Sequence, residues 1–65
     1  MTYLCYGEVR PVLVERNGAR LERFVFCDES SGAGRGAKGM YPLLPSCEPF
    51  EIDAVMFEEA WEDAV

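Results

Sequence analysis

The feature that most constrains the fold is a pair of apolar, β-branched and aromatic segments joined by a short turn. Residues 9–15 and 21–27 form these segments, and the residues between them contain Asn17-Gly18. Such residue types favour strands, while Asn-Gly readily adopts the positive φ angles of a tight type I′ turn. The sequence therefore predicts a β-hairpin, around which the remainder of the chain has to fold.

A two-residue turn at Asn17-Gly18 also predicts the register of the hairpin. The expected opposite residues are Glu15 and Arg20, Val14 and Leu21, and Val9 and Phe26. The first of these is an opposite-charge pair beside the turn, which favours this register. One face of the hairpin, which we expect to face the core, would carry Val9, Pro11, Leu13, Phe24 and Phe26. The other face would carry Val12, Val14, Leu21 and Val25 together with Arg10 and Arg23.

Shorter patterns predict the elements on either side of the hairpin. Residues 3–6 are rich in aromatic side chains and end at Gly7, which indicates a strand, and residues 50–52 can form another short strand. From Asp53, which is a good N-cap, apolar residues recur at helical spacing and predict an amphipathic helix over 53–63. These apolar residues are Ala54, Phe57, Trp61 and Ala64.

The predicted fold class is α+β, with a single domain over residues 1–65. We expect a small antiparallel sheet of about three strands, centred on the hairpin strands 9–15 and 21–27 and packed by one C-terminal α-helix. A chain of 65 residues buries only about 60% of its unfolded surface, which limits it to one small core. Residues 28–39 are rich in glycine and have little to bury, which predicts a flexible loop. Residues 40–49 contain three prolines, which predict an extended segment across the domain.

The distribution of charge divides the chain into two parts. The net charge is -6, and all six basic residues lie before Gly39, whereas the residues from Gly39 onward include seven acids and no base. Because an acidic chain repels nucleic acid and anionic lipid, we expect neither direct nucleic-acid binding nor membrane binding. The N-terminus lacks the pattern of a secretory signal, and no apolar run approaches the ~18 residues that span a bilayer. These features predict a cytoplasmic protein.

The residue types that would carry catalysis are largely missing. The chain has no histidine, and Cys5, Cys27 and Cys47 are widely spaced, which favours neither a metal site nor a disulfide framework. We expect reduced thiols, with a disulfide between Cys5 and Cys27 on neighbouring strands as the alternative. The glycine-rich stretch lacks the arrangement of a phosphate loop, because Ala37 precedes Lys38 and no Ser or Thr follows directly. The sequence therefore predicts a protein that is not an enzyme and binds no cofactor or metal.

We expect the acidic part of the chain to form a docking surface for a basic partner protein. The predicted helix carries acids near its C-terminal end, where the helix dipole disfavours negative charge, and no basic residue lies three or four positions away. The predicted partner-binding residues are Glu48, Glu51, Asp53, Glu58, Glu59, Glu62 and Asp63, with Tyr41 as an aromatic anchor. The structural alternative is that Phe57 and Trp61 belong to the core and that the acids are only the solvated side of their helix.

Clustered carboxylates can occupy basic sites that otherwise hold phosphates. In size and charge the chain resembles small acidic proteins of phages and other mobile elements, among them inhibitors of CRISPR surveillance complexes. That resemblance implies an inhibitor that mimics nucleic acid and blocks a basic site on a host complex. The alternative function is a small accessory or assembly subunit, which would dock on a larger protein through its glycine-rich loop and residues 40–49. The oligomeric state is left open by the sequence.

Overall fold

A five-stranded antiparallel sheet and one α-helix make up the described part of the chain. The computed structural model describes residues 1–28, 32–37, 42 and 44–64. The elements are β1 (Thr2–Tyr6), β2 (Val12–Asn17), β3 (Arg20–Asp28), β4 (Gly32–Ala37), β5 (Phe50–Ile52) and α1 (Ala54–Asp63). The strands lie in the order β4-β3-β2-β1-β5. The predicted α+β class is confirmed, whereas the predicted number of about three strands is wrong.

The additional edge strand, β4, comes from the segment that the sequence predicts to be a loop. Glycine alternates there with other residues, and the register places Phe24 opposite Gly36 and Phe26 opposite Gly34. A Cβ atom added at Gly36 would lie 2.3 Å from Cζ of Phe24, and one added at Gly34 would lie 2.4 Å from Cζ of Phe26. The two rings therefore cover the glycine backbone and supply the packing that glycine itself lacks. The remaining residues of the predicted loop, 29–31 and 38–39, lie outside the described residues.

The hairpin of β2 and β3 is confirmed, but its predicted turn and register are wrong. Asn17 pairs with Arg20, so the turn residues are Gly18-Ala19. Gly18 has a φ of 65° and no residue other than glycine has a positive φ among those described, whereas a type I′ turn needs two positive values. A register shift follows between Glu15 and Arg16. Beyond it the opposite residues are Glu15 and Arg23, Val14 and Phe24, Leu13 and Val25, and Val12 and Phe26.

This shift changes which side chains share a face of the sheet. One buried cluster consists of Cys5, Leu13, Val25, Ile52, Phe57 and Ala64, with Tyr3, Ala60 and Trp61 packed against it. The other consists of Val12, Val14 and Phe24, with Leu4, Tyr6, Leu21, Phe26 and Leu44 packed against it. The predicted grouping of Leu13 with Phe24 and Phe26 is therefore wrong, because Leu13 lies under the helix and the two rings lie on the opposite face. Val9 lies outside β2 and is 86% exposed.

The short strand at residues 50–52 and the C-terminal helix that the sequence predicts are confirmed. β5 occupies Phe50–Ile52 and pairs with β1, so the chain passes directly from a sheet edge into α1. The side chain of Asp53 caps the helix, since its Oδ1 accepts a hydrogen bond of 2.7 Å from the backbone N–H of Met56. Residues 42 and 44–49 have no regular secondary structure, and Leu44 packs against the cluster on the face opposite the helix.

The substitution Gly36→Ala tests whether the ring of Phe24 packs directly on the backbone of β4. In an extended strand without such a contact, Gly→Ala raises the free energy of unfolding by about 0.4–1 kcal/mol. With the ring of Phe24 in place we expect Gly36→Ala to lower it instead, by about 1–3 kcal/mol, because the added methyl overfills the contact. Phe24 is 3% exposed and cannot swing away, whereas the partly exposed Phe26 can, so Gly34→Ala should have the smaller effect. Urea unfolding measures both variants, and a stabilised Gly36→Ala protein would contradict this packing.

Candidate functional site

An ion pair with two hydrogen bonds connects β2 with β3 on the helix side of the sheet. Arg23 donates from Nε to Oε1 of Glu15 at 2.7 Å and from Nη2 to Oε2 of Glu15 at 2.8 Å. Glu15 is 5% exposed, so this planar two-bond contact satisfies a buried carboxylate. Nη2 of Arg23 also donates to Glu58 on α1. Arg23 therefore connects the sheet to the helix as well as one strand to the next.

Aromatic rings surround this guanidinium. Cζ of Arg23 lies 5.0 Å from the ring centre of Phe57 and 4.8 Å from that of Trp61. Arg35 of β4 approaches Trp61 as well, with its Cζ 4.8 Å from the ring centre and its Nη1 donating to the backbone carbonyl of Trp61 at 3.0 Å. Phe57 is fully buried, whereas Trp61 is partly exposed. Cation–π contact and packing thus hold the second half of α1 on the sheet.

The ion pair keeps its members charged. Hydrogen bonds from Arg23 hold the pKa of Glu15 below its usual value, although burial acts in the opposite direction. The hydrogen bond between Tyr3 and Glu15, followed by burial, raises the pKa of Tyr3. The hydrogen bond to Glu15 likewise raises the pKa of Arg23. The cluster is therefore a closed set of opposite charges, and none of these shifts brings a group toward titration near neutral pH, as a general acid or base would require.

Sequence reasoning missed this cluster because it depends on the register. The structure corrects two predictions: Glu15 pairs with Arg23 and not with Arg20, whose Nε donates instead to Glu22. Glu58, predicted as part of an uncompensated acidic surface, forms an ion pair with Arg23 across the interface between helix and sheet. One signal for this ion pair was present in the sequence: Glu58 directly follows Phe57, which is fully buried, so Glu58 lies on the flank of the helix near the sheet.

The other predicted docking residues are spread over β5, the helix cap and the outer face of α1. Glu59, Glu62 and Asp63 are exposed on α1. The remaining exposed acids are Glu48, Glu51 and Asp53, of which Asp53 also serves as the helix cap. Within the described ranges no ion pair involves any of these six residues. Tyr41 lies outside the described residues.

A shallow groove runs along the outer face of α1. It is lined by Ala54, Val55, Glu58, Glu59, Glu62 and Asp63. Val55 is 65% exposed and the adjacent Met56 is 52% exposed, so the first turn of the helix presents apolar surface to solvent. The groove is open and lies on a convex helix face. It can accept a protein surface, but it does not enclose a small molecule as most ligand pockets do.

Among the cysteine side chains that the structure describes, Cys5 and Cys47 are not joined in a disulfide. Cys5 is buried and its Sγ donates to the carbonyl of Gly7 at 3.7 Å, while Cys47 is exposed. β2 separates β1 from β3, so Cys5 and Cys27 do not lie on neighbouring strands as the disulfide alternative required. Two strand spacings amount to about 9–10 Å, which exceeds the Cα separation of a disulfide. No group of three or more potential ligands is placed to hold a metal ion in these ranges.

Comparisons with protein-family models, with curated proteins and with solved structures gave no match to this chain. Among the helices of the described residues, none is long and apolar enough to cross a membrane.

Removing Arg23 should expose the dependence of Glu15 on its partner. We expect Arg23→Ala to lower the free energy of unfolding by about 3 kcal/mol, because it leaves a carboxylate buried without a counter-charge. Arg20→Ala is the matched control, since Arg20 pairs at the surface and its loss should change stability by less than about 1 kcal/mol. The double variant Arg23→Ala/Glu15→Gln should be more stable than Arg23→Ala alone, which urea unfolding can show. The opposite order would mean that Glu15 does not need Arg23.

The lowered pKa of Glu15 predicts a specific loss of stability in acid. Its pKa is lower in the folded than in the unfolded protein, so the unfolded state binds more protons between the two values. The contribution of Glu15 is therefore present above the ordinary value of 4.5 and decreases as the pH falls from there through the lower, folded pKa. Urea unfolding of the wild type and of Glu15→Gln over this acidic range should show their difference in stability narrowing. A difference that is independent of pH would be incompatible with the ion pair.

Proposed function

We propose that this chain is a non-enzymatic, acidic protein-binding module that docks on a basic surface of a partner protein. The observation that carries the proposal is the contrast between the two sides of α1. Glu58, on the flank of α1, is neutralised by Arg23 of the sheet, whereas Glu59, Glu62 and Asp63 on the outer side have no ion-pair partner among the described residues. A basic partner would supply the missing counter-charges.

The position of these acids on the helix strengthens the argument. They occupy the last turns of α1, and no basic residue is present in its last turn. Negative charge there is opposed both by the helix dipole and by its own neighbours. In a domain of this size, whose stability is a small difference between large terms, such repulsion is a disadvantage for folding. A role in binding gives this arrangement a physical reason.

A basic site that otherwise holds nucleic acid is the partner surface that this chemistry fits best. Exposed carboxylates can accept hydrogen bonds from the arginines and lysines that would otherwise contact phosphates. In this proposal the protein acts as an inhibitor of a host complex, as the resemblance in size and charge to inhibitors from phages and mobile elements implies. Steering by opposite charge would give fast association and strong dependence on salt.

The alternative role as an accessory subunit has less structural support. It depends on a glycine-rich loop that is free to order on another protein, but Gly32–Ala37 already pairs with β3 as strand β4. It also depends on the segment 40–49, in which Leu44 packs against the domain itself. Both elements are therefore engaged within the chain over the residues that the structure describes.

Neutralising two acids of α1 tests the proposal. Glu59→Gln/Glu62→Gln removes two charges from the outer face, and we expect the variant to keep its fold but to lose most of its retention of basic proteins from a host lysate. Glu8→Gln/Glu22→Gln removes the same number of charges elsewhere and is the matched control. Retention should fall steeply between low and high salt, and excess duplex DNA should compete for the captured proteins.

Two results would count against acidic docking. One is equal retention of the same proteins by both double variants, because affinity would then not depend on the helix acids. The other is retention that persists unchanged in high salt, which would indicate an apolar interface and favour the role as an accessory subunit. Circular dichroism of each variant verifies that the fold is intact in either case.

A further inference from the structure

The groove on the outer face of α1 has the geometry of a helix-packing site. Its lining residues form two parallel rows with a spacing of four residues: Ala54, Glu58 and Glu62 in one row, and Val55, Glu59 and Asp63 in the other. Rows of this spacing are the ridges between which a second helix places its own ridge when two helices pack. The groove therefore corresponds to one full packing groove of α1, and no described element of the chain fills it.

We propose that the partner fills this groove with a basic, amphipathic α-helix. This inference rests on the proposed function, because it specifies the kind of basic surface that the acids meet. Ala54 and Val55 form an apolar end of the groove, and carboxylates line the remainder toward the end of α1. A helix that carries an apolar residue next to a row of lysines or arginines complements the apolar end of the groove and the carboxylates along the remainder of it.

Side-chain chemistry explains why a helix with long basic side chains fits. The small side chain of Ala54 allows a close approach, and the 65% exposed Val55 gains burial when a partner covers it. Lysine and arginine can lay their methylene stems along the groove while their charged groups reach Glu59, Glu62 and Asp63 on its walls. Helical spacing of four residues in the partner would match the spacing of the carboxylates.

Charge argues against two other occupants. A nucleic acid would bring phosphates against at least three exposed carboxylates. A second copy of the chain, docking with the same face, would bring the same acids together. A basic protein helix avoids both conflicts. Of the described arginines, Arg23 and Arg35 already face Trp61 on the inner side of α1, so they are not available to cover the outer side.

Two synthetic peptides of equal charge test the inference. The first is an alanine-based helix with lysines four residues apart and one leucine beside them, and the second has a central alanine replaced by proline, which breaks the helix. Isothermal titration with the full chain at low salt should show at least about tenfold weaker binding of the proline peptide. Circular dichroism should show the first peptide gaining helix on binding.

Variants of the chain locate the contact. Val55→Gln should weaken binding of the helical peptide, whereas Val9→Gln, at an 86% exposed site outside the groove, should not. Equal affinity of the two peptides would overturn the helix inference while leaving acidic docking in place, provided Glu59→Gln/Glu62→Gln still loses its captured proteins. Failure of both peptides to bind would also overturn it, and the capture experiment would then decide separately about acidic docking.

Discussion

The guanidinium of Arg23 holds together the two layers of this small domain. It lies in a row of opposite residues across three strands, with Glu15 beside it and Tyr3 beyond, and it reaches Glu58 on the helix. Because Glu15 is almost completely buried, its negative charge is tolerable only with this partner in place. The same guanidinium lies against the aromatic rings of α1. Strand register, burial of a charge and docking of the helix therefore depend on one side chain.

The features that could be predicted from the sequence are those that depend on a few consecutive residues. The hairpin follows from two strand-forming segments around a glycine turn, and the helix begins at Asp53 because that side chain can cap the first turn. The register could not be obtained in this way. Glu22 has no opposite residue in β2, because the register shifts by one residue between Glu15 and Arg16. This shift places Arg23 opposite Glu15. The rule that opposite charges face each other was correct in kind but selected Arg20, since nothing local distinguishes the two arginines.

The edge strand β4 shows where composition misleads. Glycine-rich segments commonly form turns and loops, and the content of residues 32–37 supports no other prediction by itself. Their alternation has the period of a strand, however, and it matches the alternation of Phe24 and Phe26 on β3. The aromatic residues provide the apolar contact, and Gly34 and Gly36 provide the room for the rings. Only the pairing of the two segments makes this sequence a strand, so the information is divided between two consecutive segments of the chain.

The negative charge on the outer face of α1 also depends on more than one segment of the chain. Helical periodicity was enough to place Glu59 and Glu62 on the outer face of α1, but not to show that Glu58 is neutralised from the sheet. The described arginines of β2, β3 and β4 contact the protein's own groups: Arg16 contacts Tyr6, Arg20 contacts Glu22, Arg23 contacts Glu15 and Glu58, and Arg35 contacts Trp61. Since these cations are used within the fold, α1 keeps an excess of negative charge on the side that faces away from the sheet. A surface of that sign favours a basic partner, and its two rows of side chains favour a partner of helical shape.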